Sequence, residues 1–91
     1  MKKADANQRD IVDKLRKIGC SVLILSQVGH GCPDILIGYK GKNILVEIKT
    51  EKKKPVRERL SNDEKDFFIK WKGQVAVCSS FDEIYILLAT I

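Results

Sequence analysis

The sequence has few of the features that mark a disulfide-rich, secreted or membrane-spanning protein. Its three cysteines, Cys20, Cys32 and Cys78, are an odd number without paired spacing, which favours reduced thiols over a disulfide framework. The longest apolar runs, such as VLIL at residues 22–25, are far too short to span a bilayer. The opening MKKADANQRD lacks the apolar stretch of a signal peptide. We therefore expect a cytoplasmic protein.

Histidine is scarcer still, which weighs against a zinc site. The single histidine, His30, forms an H-x-C pair with Cys32. A four-ligand zinc site would need Cys20 and Cys78 to converge on this pair, and no C-x-x-C motif supports such an arrangement. We therefore do not expect zinc.

What the chain does have is a globular composition with an excess of positive charge. Of its 91 residues, 44% are hydrophobic and 32% are charged, which is typical of a folded rather than a disordered chain. The length predicts one domain, residues 1–91, near the small end of chains that bury a self-sufficient core. The formal net charge of +5 favours a polyanionic partner such as nucleic acid.

Hydrophobic periodicity predicts an α/β fold with the element order α-β-β-β-α-β-α, in which helices cover a mixed sheet. The first helix has Asp5 or Asn7 as its N-cap, and Gly19 ends it. Its apolar residues recur at helical spacing on one face, which consists of Ile11, Val12, Leu15 and Ile18.

Four strands and a last helix follow from apolar runs between turn residues. The continuous apolar run of the first strand predicts cover on both of its faces. A tight turn around Lys40-Gly41-Lys42 joins the second and third strands. The strands are SVLILSQ (21–27), PDILIGY (33–39), KNILVEIKT (42–50) and QVAVCSS (74–80), and a helix capped by Ser80 ends the chain (80–91).

A basic segment and an aromatic helix lie between the third and fourth strands. The segment TEKKKPVRER (50–59) has no apolar periodicity, so we expect a mobile loop there. Ser61 and Glu64 fit the capping box S-x-x-E and predict a helix that ends at Gly73. Its aromatic residues share one helical face, which predicts core side chains rather than platforms for base stacking. These are Phe67, Phe68 and Trp71.

Three charged residues occur where the sheet should be most buried. Asp34 opens the second strand, and Glu47 and Lys49 interrupt the third. Strand side chains alternate, so Glu47 and Lys49 project to the same face, roughly 6.6 Å apart at about 3.3 Å per residue. With a turn centred near Gly41, Asp34 falls opposite Glu47 or Lys49. Two carboxylates and an ammonium group should therefore converge.

This arrangement has an ordinary explanation and a chemical one. Charges on an exposed edge strand discourage aggregation, and Lys49 could simply form a structural ion pair. Alternatively, the carboxylates hold magnesium, a hard cation that prefers oxygen ligands. Such a cation acidifies water and polarises a phosphate, and with Lys49 beside it the site would be equipped for phosphodiester hydrolysis.

In the surrounding sequence, Pro33-Asp34 followed by Glu47-Ile48-Lys49 resembles the PD-(D/E)XK nuclease signature. More narrowly, the chain resembles the virus-type replication-repair nuclease (VRR-NUC) group over about residues 4–80. The matching segments are DANQRDIVDKLRKIG, GHGCPDILIGY, LVEIKT and LSNDEKDFFIKWKGQVAV. The resemblance implies a restriction-endonuclease-like αβββαβ core and, for stand-alone members, a phage or prophage origin.

The resemblance also implies roles for individual residues. Asp34, Glu47 and the Ile48 carbonyl would bind Mg²⁺ or Mn²⁺, and Lys49 would position and activate the water. Gln8 stands where the family has a first-helix glutamate and brings no charge, so Asp5 and Asp10 remain substitutes. Glu64, where relatives often have glutamine, is explained equally well by the helix cap.

The basic segment is the predicted DNA contact. From Lys49 to Arg59 there are six cations and two acids, a local excess of +4. A solvated loop is the ordinary explanation, but these cations follow the active-site lysine and could hold phosphates without regard to sequence. The contacts would come from Lys52, Lys53, Lys54, Arg57 and Arg59, extended by Arg9, Lys70 and Lys72.

The function implied is a structure-selective endonuclease for branched DNA. Stand-alone relatives act as homodimers, which suits symmetric cuts at a four-way (Holliday) junction. The first-helix apolar face or the C-terminal IYILLATI could supply the dimer surface. Two alternatives remain open: a catalytically silent nucleic-acid-binding module of the same fold, and a restriction-type nuclease that cuts duplex DNA.

Overall fold

The computed structural model of the chain describes residues 3–50 and 54–91. Its helices and strands confirm the predicted α/β class, a mixed sheet with flanking helices. In chain order they are α1 (Lys3–Lys17), β1 (Ser21–Ile24), β2 (Ile35–Tyr39), β3 (Lys42–Ile48), α2 (Val56–Arg59), α3 (Asn62–Lys70), β4 (Val75–Cys78) and α4 (Phe81–Thr90). Helix α2 was not predicted: within the segment expected to be a loop, Val56–Arg59 forms a four-residue helix with Pro55 as its N-cap. No helix in the described ranges combines the length and apolar character needed to cross a membrane.

The four strands form one sheet in the order β1-β2-β3-β4. The first three strands are antiparallel neighbours, and β4 runs parallel to β3. The pairing of Tyr39 with Lys42 leaves a two-residue turn, Lys40-Gly41, with φ of 50° and 80°. Positive φ at both positions is the geometry of a type I′ hairpin turn, so the predicted tight turn is confirmed.

The core lies on one face of the sheet, between the strands and helices α1 and α4. Alternate residues of β3, namely Ile44, Val46 and Ile48, point into this core. Burial of this side-chain set is the main source of stability. The other members are Ile11, Val12, Leu15, Cys20, Val22, Ile35, Ile37, Cys78, Ile84 and Leu88.

Two predictions about α1 are wrong in detail. The helix begins at Lys3, so Asp5 and Asn7 lie inside it rather than at its N-cap. Alanine and glutamine are good helix formers, and KADANQ extends the helix toward its N-terminus. Ile18 is exposed because it follows the last helical residue, and Gly19 then ends the turn with φ of 98°. The apolar face of α1 is packed into the core through Ile11, Val12 and Leu15.

The prediction of cover on both faces of the first strand is also wrong. β1 is four residues long and pairs only with β2 at the edge of the sheet. Val22 points into the core, but Leu23 points to the other face and is 61% exposed. The apolar run therefore reflects an edge strand whose outer face is open in the described part of the chain.

Helix α3 differs from prediction in its end and in its burial. It ends at Lys70, with Trp71 as C-cap, rather than at Gly73. It contains no buried residue: Phe67 and Phe68 are half-buried, and Trp71 is 46% exposed. The predicted core role of these aromatics is therefore wrong for Trp71, because α3 lies apart from the core cluster. Phe67 and Trp71 instead stack on each other, with ring centroids 5.2 Å apart.

Candidate active site

The hairpin register brings Asp34 to the end of β3. Ile35 pairs with Val46 in the antiparallel ladder, so the next position places Asp34 opposite Glu47. The Ile48 backbone N–H donates a hydrogen bond to Asp34 Oδ2 at 2.8 Å. The predicted convergence of the second and third strands at Asp34 is therefore present in the structure.

Glu47 and Lys49 project to one face of β3, opposite to the core. Glu47 is 4% exposed, a rare degree of burial for a carboxylic acid. Lys49 Nζ lies 3.3 Å from Glu47 Oε2. Both positions follow from the alternation of strand side chains, which also sends Val46 and Ile48 into the core.

Helix α3 adds a third acid, Glu64, to this cluster. Lys49 Nζ lies 3.1 Å from Glu64 Oε1 and 3.2 Å from Oε2. The same carboxylate accepts a hydrogen bond from the Ser61 N–H at 2.8 Å, and Ser61 Oγ accepts one from the Glu64 N–H at 3.1 Å. The predicted capping box is thus confirmed. Glu64 therefore has two sets of contacts, one in the helix cap and one with Lys49. In the sequence, the capping-box motif singled out this residue.

The glycine-rich loop before Asp34 packs against the start of α3. Gly31 has φ of 79°, and a Cβ at this position would lie 2.2 Å from the Asp63 carbonyl oxygen. Only glycine permits both this backbone conformation and this approach. Cys32, in the same loop, has a raised pKa because of its burial and the charges of Glu47 and Asp34. Loop, strand ends and α3 therefore meet at one place.

Burial controls the protonation of the two carboxyls. Burial raises the pKa of Glu47 to about 8. The charge of Asp34 and the Glu64 carboxylate also raise this pKa, whereas the charge of Lys49 lowers it. Burial also raises the pKa of Asp34, although the hydrogen bond from Ile48 and the charge of Lys49 act to lower it. Burial therefore favours the protonated form of the Glu47 carboxyl at neutral pH.

Lys49 and Glu64 form the charged pair of the cluster. Burial acts to lower the pKa of Lys49, but the hydrogen bond with Glu64 and the charge of Glu47 outweigh it and raise that pKa. Burial likewise acts to raise the pKa of Glu64, and the hydrogen bonds from Ser61 and Lys49 more than reverse this. Lys49 is therefore an ammonium group at neutral pH, suited to neutralise negative charge rather than to accept a proton.

Gln8 lies near the same end of the sheet, on α1. Its Oε1 accepts a hydrogen bond from Ser26 Oγ at 3.2 Å. Ser26 follows Leu25, whose N–H donates to the Asp34 carbonyl at 2.8 Å. Among the described residues no hydrogen bond joins Gln8 to the carboxyls of the cluster, so its predicted catalytic role stays a prediction.

Asp10, one of the two alternative first-helix acids, has no contact with the cluster among the described residues. Asp10 forms an ion pair with Lys14, at 3.1 Å, one helical turn along α1. The Asp5 side chain lies outside what the structure describes.

The predicted DNA contacts fall only partly within the described residues. Lys52 and Lys53 lie outside them, and so does the Arg57 side chain. Lys54 is exposed, as a phosphate contact requires. Arg59 is half-buried, and its Nη1 donates to the Lys49 carbonyl at 3.3 Å. Arg59 therefore also supports the backbone of the site.

The three predicted extensions of the basic patch are all exposed. Arg9 lies on α1, and Lys72 follows the end of α3. Lys70 forms an ion pair with Asp66 at 3.0 Å. Exposed ion pairs of this kind are weak, so breaking this one to bind a phosphate would cost little free energy.

The oxygen donors of the cluster suit a hard divalent cation. Within the described part of the chain, no three His, Cys, Asp or Glu side chains are grouped so as to hold a metal ion. Magnesium, however, needs only one or two carboxylates because it keeps several waters. Asp34 and Glu47 are such a pair, and the charge of Asp34 raises the pKa of Glu47, a repulsion that a cation would relieve. The residues present therefore fit the predicted metal.

The chain is similar to known proteins over most of its length. A family model described as "Archaeal holliday junction resolvase (hjc)" matches residues 1–77. A solved structure described as "VRR_NUC domain" has 28% sequence identity and a TM-score of 0.64, and the match covers 99% of this chain and 98% of that one. A comparison with curated proteins finds no match. The resemblance predicted from the sequence motifs is thus confirmed.

Proposed function

The chain belongs to the archaeal Holliday junction resolvase family, a nuclease family of the PD-(D/E)XK type, and we propose that it is a divalent-metal-dependent endonuclease for branched DNA, above all four-way junctions. One observation carries the proposal: Lys49 Nζ lies 3.3 Å from the buried Glu47, at the strand ends where Asp34 is bonded to Ile48. A purely structural ion pair would not need a second, half-buried carboxyl, that of Asp34, beside it.

Each member of the cluster has a distinct role in this proposal. Asp34, Glu47 and the Ile48 carbonyl would hold Mg²⁺ or Mn²⁺, which would acidify the attacking water and polarise the scissile phosphate. Because Glu47 has a pKa of about 8, it must lose a proton before it can act as a ligand. Lys49, kept as an ammonium group, faces the charge that develops on the phosphate.

DNA binding in this proposal depends on charge rather than on base reading. Lys54 is exposed beyond the end of β3, and Lys52, Lys53 and Arg57 extend the same basic segment in the sequence. Lysine and arginine contacts with phosphates are independent of sequence and weaken as salt increases. A substrate recognised by its shape, such as a branch point, fits this pattern.

We further propose that the active form is a homodimer, because paired cuts at a symmetric junction need two sites. The apolar face of α1 is buried in the core, which leaves the C-terminal helix as the surface predicted from the sequence. There Tyr85 and Ile86 are exposed, Ile86 at 65%. On α3, Ile69 is 80% exposed and offers a competing surface. Light scattering of Ile86→Glu and Ile69→Glu should show which substitution gives a monomer.

Cleavage of a substrate panel tests the proposed activity. With Mg²⁺ or Mn²⁺, the protein should cut four-way junctions in preference to forks, flaps and linear duplex. Asp34→Ala, Glu47→Ala and Lys49→Ala should each abolish cutting while the circular dichroism spectrum is retained. Asp82→Ala, at an exposed acid on α4, is the matched control and should cut normally.

The two alternatives give different results on the same panel. A catalytically silent module would bind junctions in a salt-dependent manner without any metal-dependent cutting. A restriction-type enzyme would cut a defined duplex sequence as fast as a junction. Full activity in all three alanine variants would show that Asp34, Glu47 and Lys49 do not form the active site.

A further inference from the structure

Lys49 is held at both ends by groups from the segment that follows β3. Its backbone carbonyl accepts a hydrogen bond from Arg59 Nη1 at 3.3 Å. Its ammonium group lies between Glu47 Oε2 at 3.3 Å and both oxygens of Glu64, at 3.1 and 3.2 Å. A lysine side chain has several freely rotating bonds, so fixing it in one position costs conformational entropy. The contacts with Glu47 and Glu64 must offset that cost.

The Glu64 carboxylate is itself fixed independently of Lys49. It occupies the third position of α3, where it accepts from the Ser61 N–H at 2.8 Å and completes the capping box. The start of α3 is in turn pressed against Gly31, whose close approach to Asp63 sets the distance between helix and loop. Glu64 therefore connects the helix start to the lysine through one rigid carboxylate.

We propose that Glu64 is a positioning residue for cleavage: it holds the Lys49 ammonium group beside Glu47, where the scissile phosphate would lie. This inference rests on the proposed nuclease function and adds a residue to it. Glu64 does not touch the reacting atoms, so its effect is on the rate of the chemical step and not on DNA affinity. The cap alone does not explain why the carboxylate turns both oxygens toward the lysine.

Replacement of Glu64 by glutamine separates the two roles of the side chain. In Glu64→Gln the amide oxygen can still accept from Ser61, so the cap remains, whereas the charge that holds Lys49 is lost. We expect the single-turnover cleavage rate at saturating enzyme to fall about 10- to 100-fold, the loss typical of outer-shell partners at metal sites. The apparent Kd for a four-way junction should change less than about twofold. A wild-type cleavage rate in Glu64→Gln would overturn the inference.

Asp66→Asn is the matched control, because it makes the same acid-to-amide change two residues along α3. Asp66 forms an exposed ion pair with Lys70, at 3.0 Å. Its loss should leave both the cleavage rate and the junction affinity within about twofold of wild type. An equal loss of rate in Asp66→Asn would mean that the charge of the helix, rather than the position of Glu64, is responsible, and would also overturn the inference.

A folding experiment distinguishes failure of this inference from failure of the proposed function. Urea midpoints of wild type, Glu64→Gln, Lys49→Met and the double variant form a cycle that reports the Lys49–Glu64 coupling without any cleavage. The two substitutions should be non-additive. Additive midpoints in an active enzyme would overturn the positioning role alone. A wild-type protein that cuts no branched DNA would overturn the proposed function and, with it, this role in cleavage.

Discussion

Gly31 lies so close to Asp63 that a Cβ would sit 2.2 Å from the Asp63 carbonyl oxygen. This approach joins the loop before Asp34 to the start of the helix that carries Glu64. The two glycines of that loop offer a direct test of it, because Gly29 has nearly the same φ, 78°, but nothing within 4 Å of its Cβ position.

Gly31→Ala should therefore destabilise the protein more than Gly29→Ala. Both variants place alanine in the left-handed region, at a cost of about 1–2 kcal/mol each. Only Gly31→Ala must also displace α3, and we expect a further loss of about 1–3 kcal/mol. Urea denaturation measures both. Equal losses would show that the contact with Asp63 is easily relaxed.

Cleavage should decline in Gly31→Ala beyond its effect on folding, because a displaced α3 moves Glu64 away from Lys49. The comparison is made at a temperature and denaturant concentration where both variants are fully folded. Gly29→Ala, which leaves α3 in place, should cut at close to the wild-type rate.

The stability of the protein should fall as pH rises from about 4.5 to 8. Glu47 has a folded pKa of about 8 against an ordinary value of 4.5, so between these values the folded state holds a proton that the unfolded state lacks. Asp34, whose pKa is also raised, acts in the same direction. Unfolding free energies at several pH values measure this slope.

Glu47→Gln should flatten that slope, because glutamine does not titrate. Lys49 and Glu64 do not create it: the raised pKa of Lys49 matters only at more alkaline pH, and the lowered pKa of Glu64 only at acidic pH. An unchanged slope in Glu47→Gln would show that this carboxyl is already ionised at neutral pH.

Mg²⁺ or Mn²⁺ should raise the melting temperature, and more so at pH 8 than at pH 6. A ligand that binds only the folded state stabilises it by about 2.7 kcal/mol at 100 times its Kd. The effect grows with pH because Glu47 must be deprotonated to bind the cation. Differential scanning fluorimetry of wild type and Asp34→Asn measures it, with Asp82→Asn as the charge-matched control. An undiminished metal effect in Asp34→Asn would place the cation elsewhere.

The two serine caps should differ in their effect on cleavage. Ser61 Oγ accepts from the Glu64 N–H at 3.1 Å, and Ser80 Oγ accepts from the Glu83 N–H at 3.2 Å. Alanine at either position should cost about 1 kcal/mol of stability. Only Ser61→Ala frees the backbone that carries Glu64, so it alone should slow cleavage, and by less than Glu64→Gln does. Parallel denaturation and cleavage assays test this, and an equal slowing in Ser80→Ala would contradict it.

Local patterns predicted those parts of the site that lie on one hairpin. The alternation of β3 fixes the common face of Glu47 and Lys49, and the two-residue turn at Lys40-Gly41 sets the register that places Asp34 opposite Glu47. Both are short-range consequences of strand geometry. The capping box at Ser61 was equally local, and it was present as predicted.

The burial of side chains, which depends on the surroundings of a segment, was predicted less well. The apolar run of β1 was expected to be covered on both faces, but it forms an edge strand with Leu23 exposed. The aromatic face of α3 was expected in the core, but α3 lies apart from the core cluster. Apolar periodicity shows which residues prefer burial, and the position of the element decides which of them achieve it.

The sequence by itself determined most of the elements, the common face of Glu47 and Lys49 and the pair of strand ends that carry the acidic residues, because these follow from side-chain periodicity and turn chemistry. Only the tertiary structure decided that Glu47 is buried with a raised pKa and that Glu64 reaches Lys49 from a helix 15 residues further along the chain. Burial and long-range ion pairs depend on how segments far apart in the chain pack against each other, and no local sequence pattern specifies that packing.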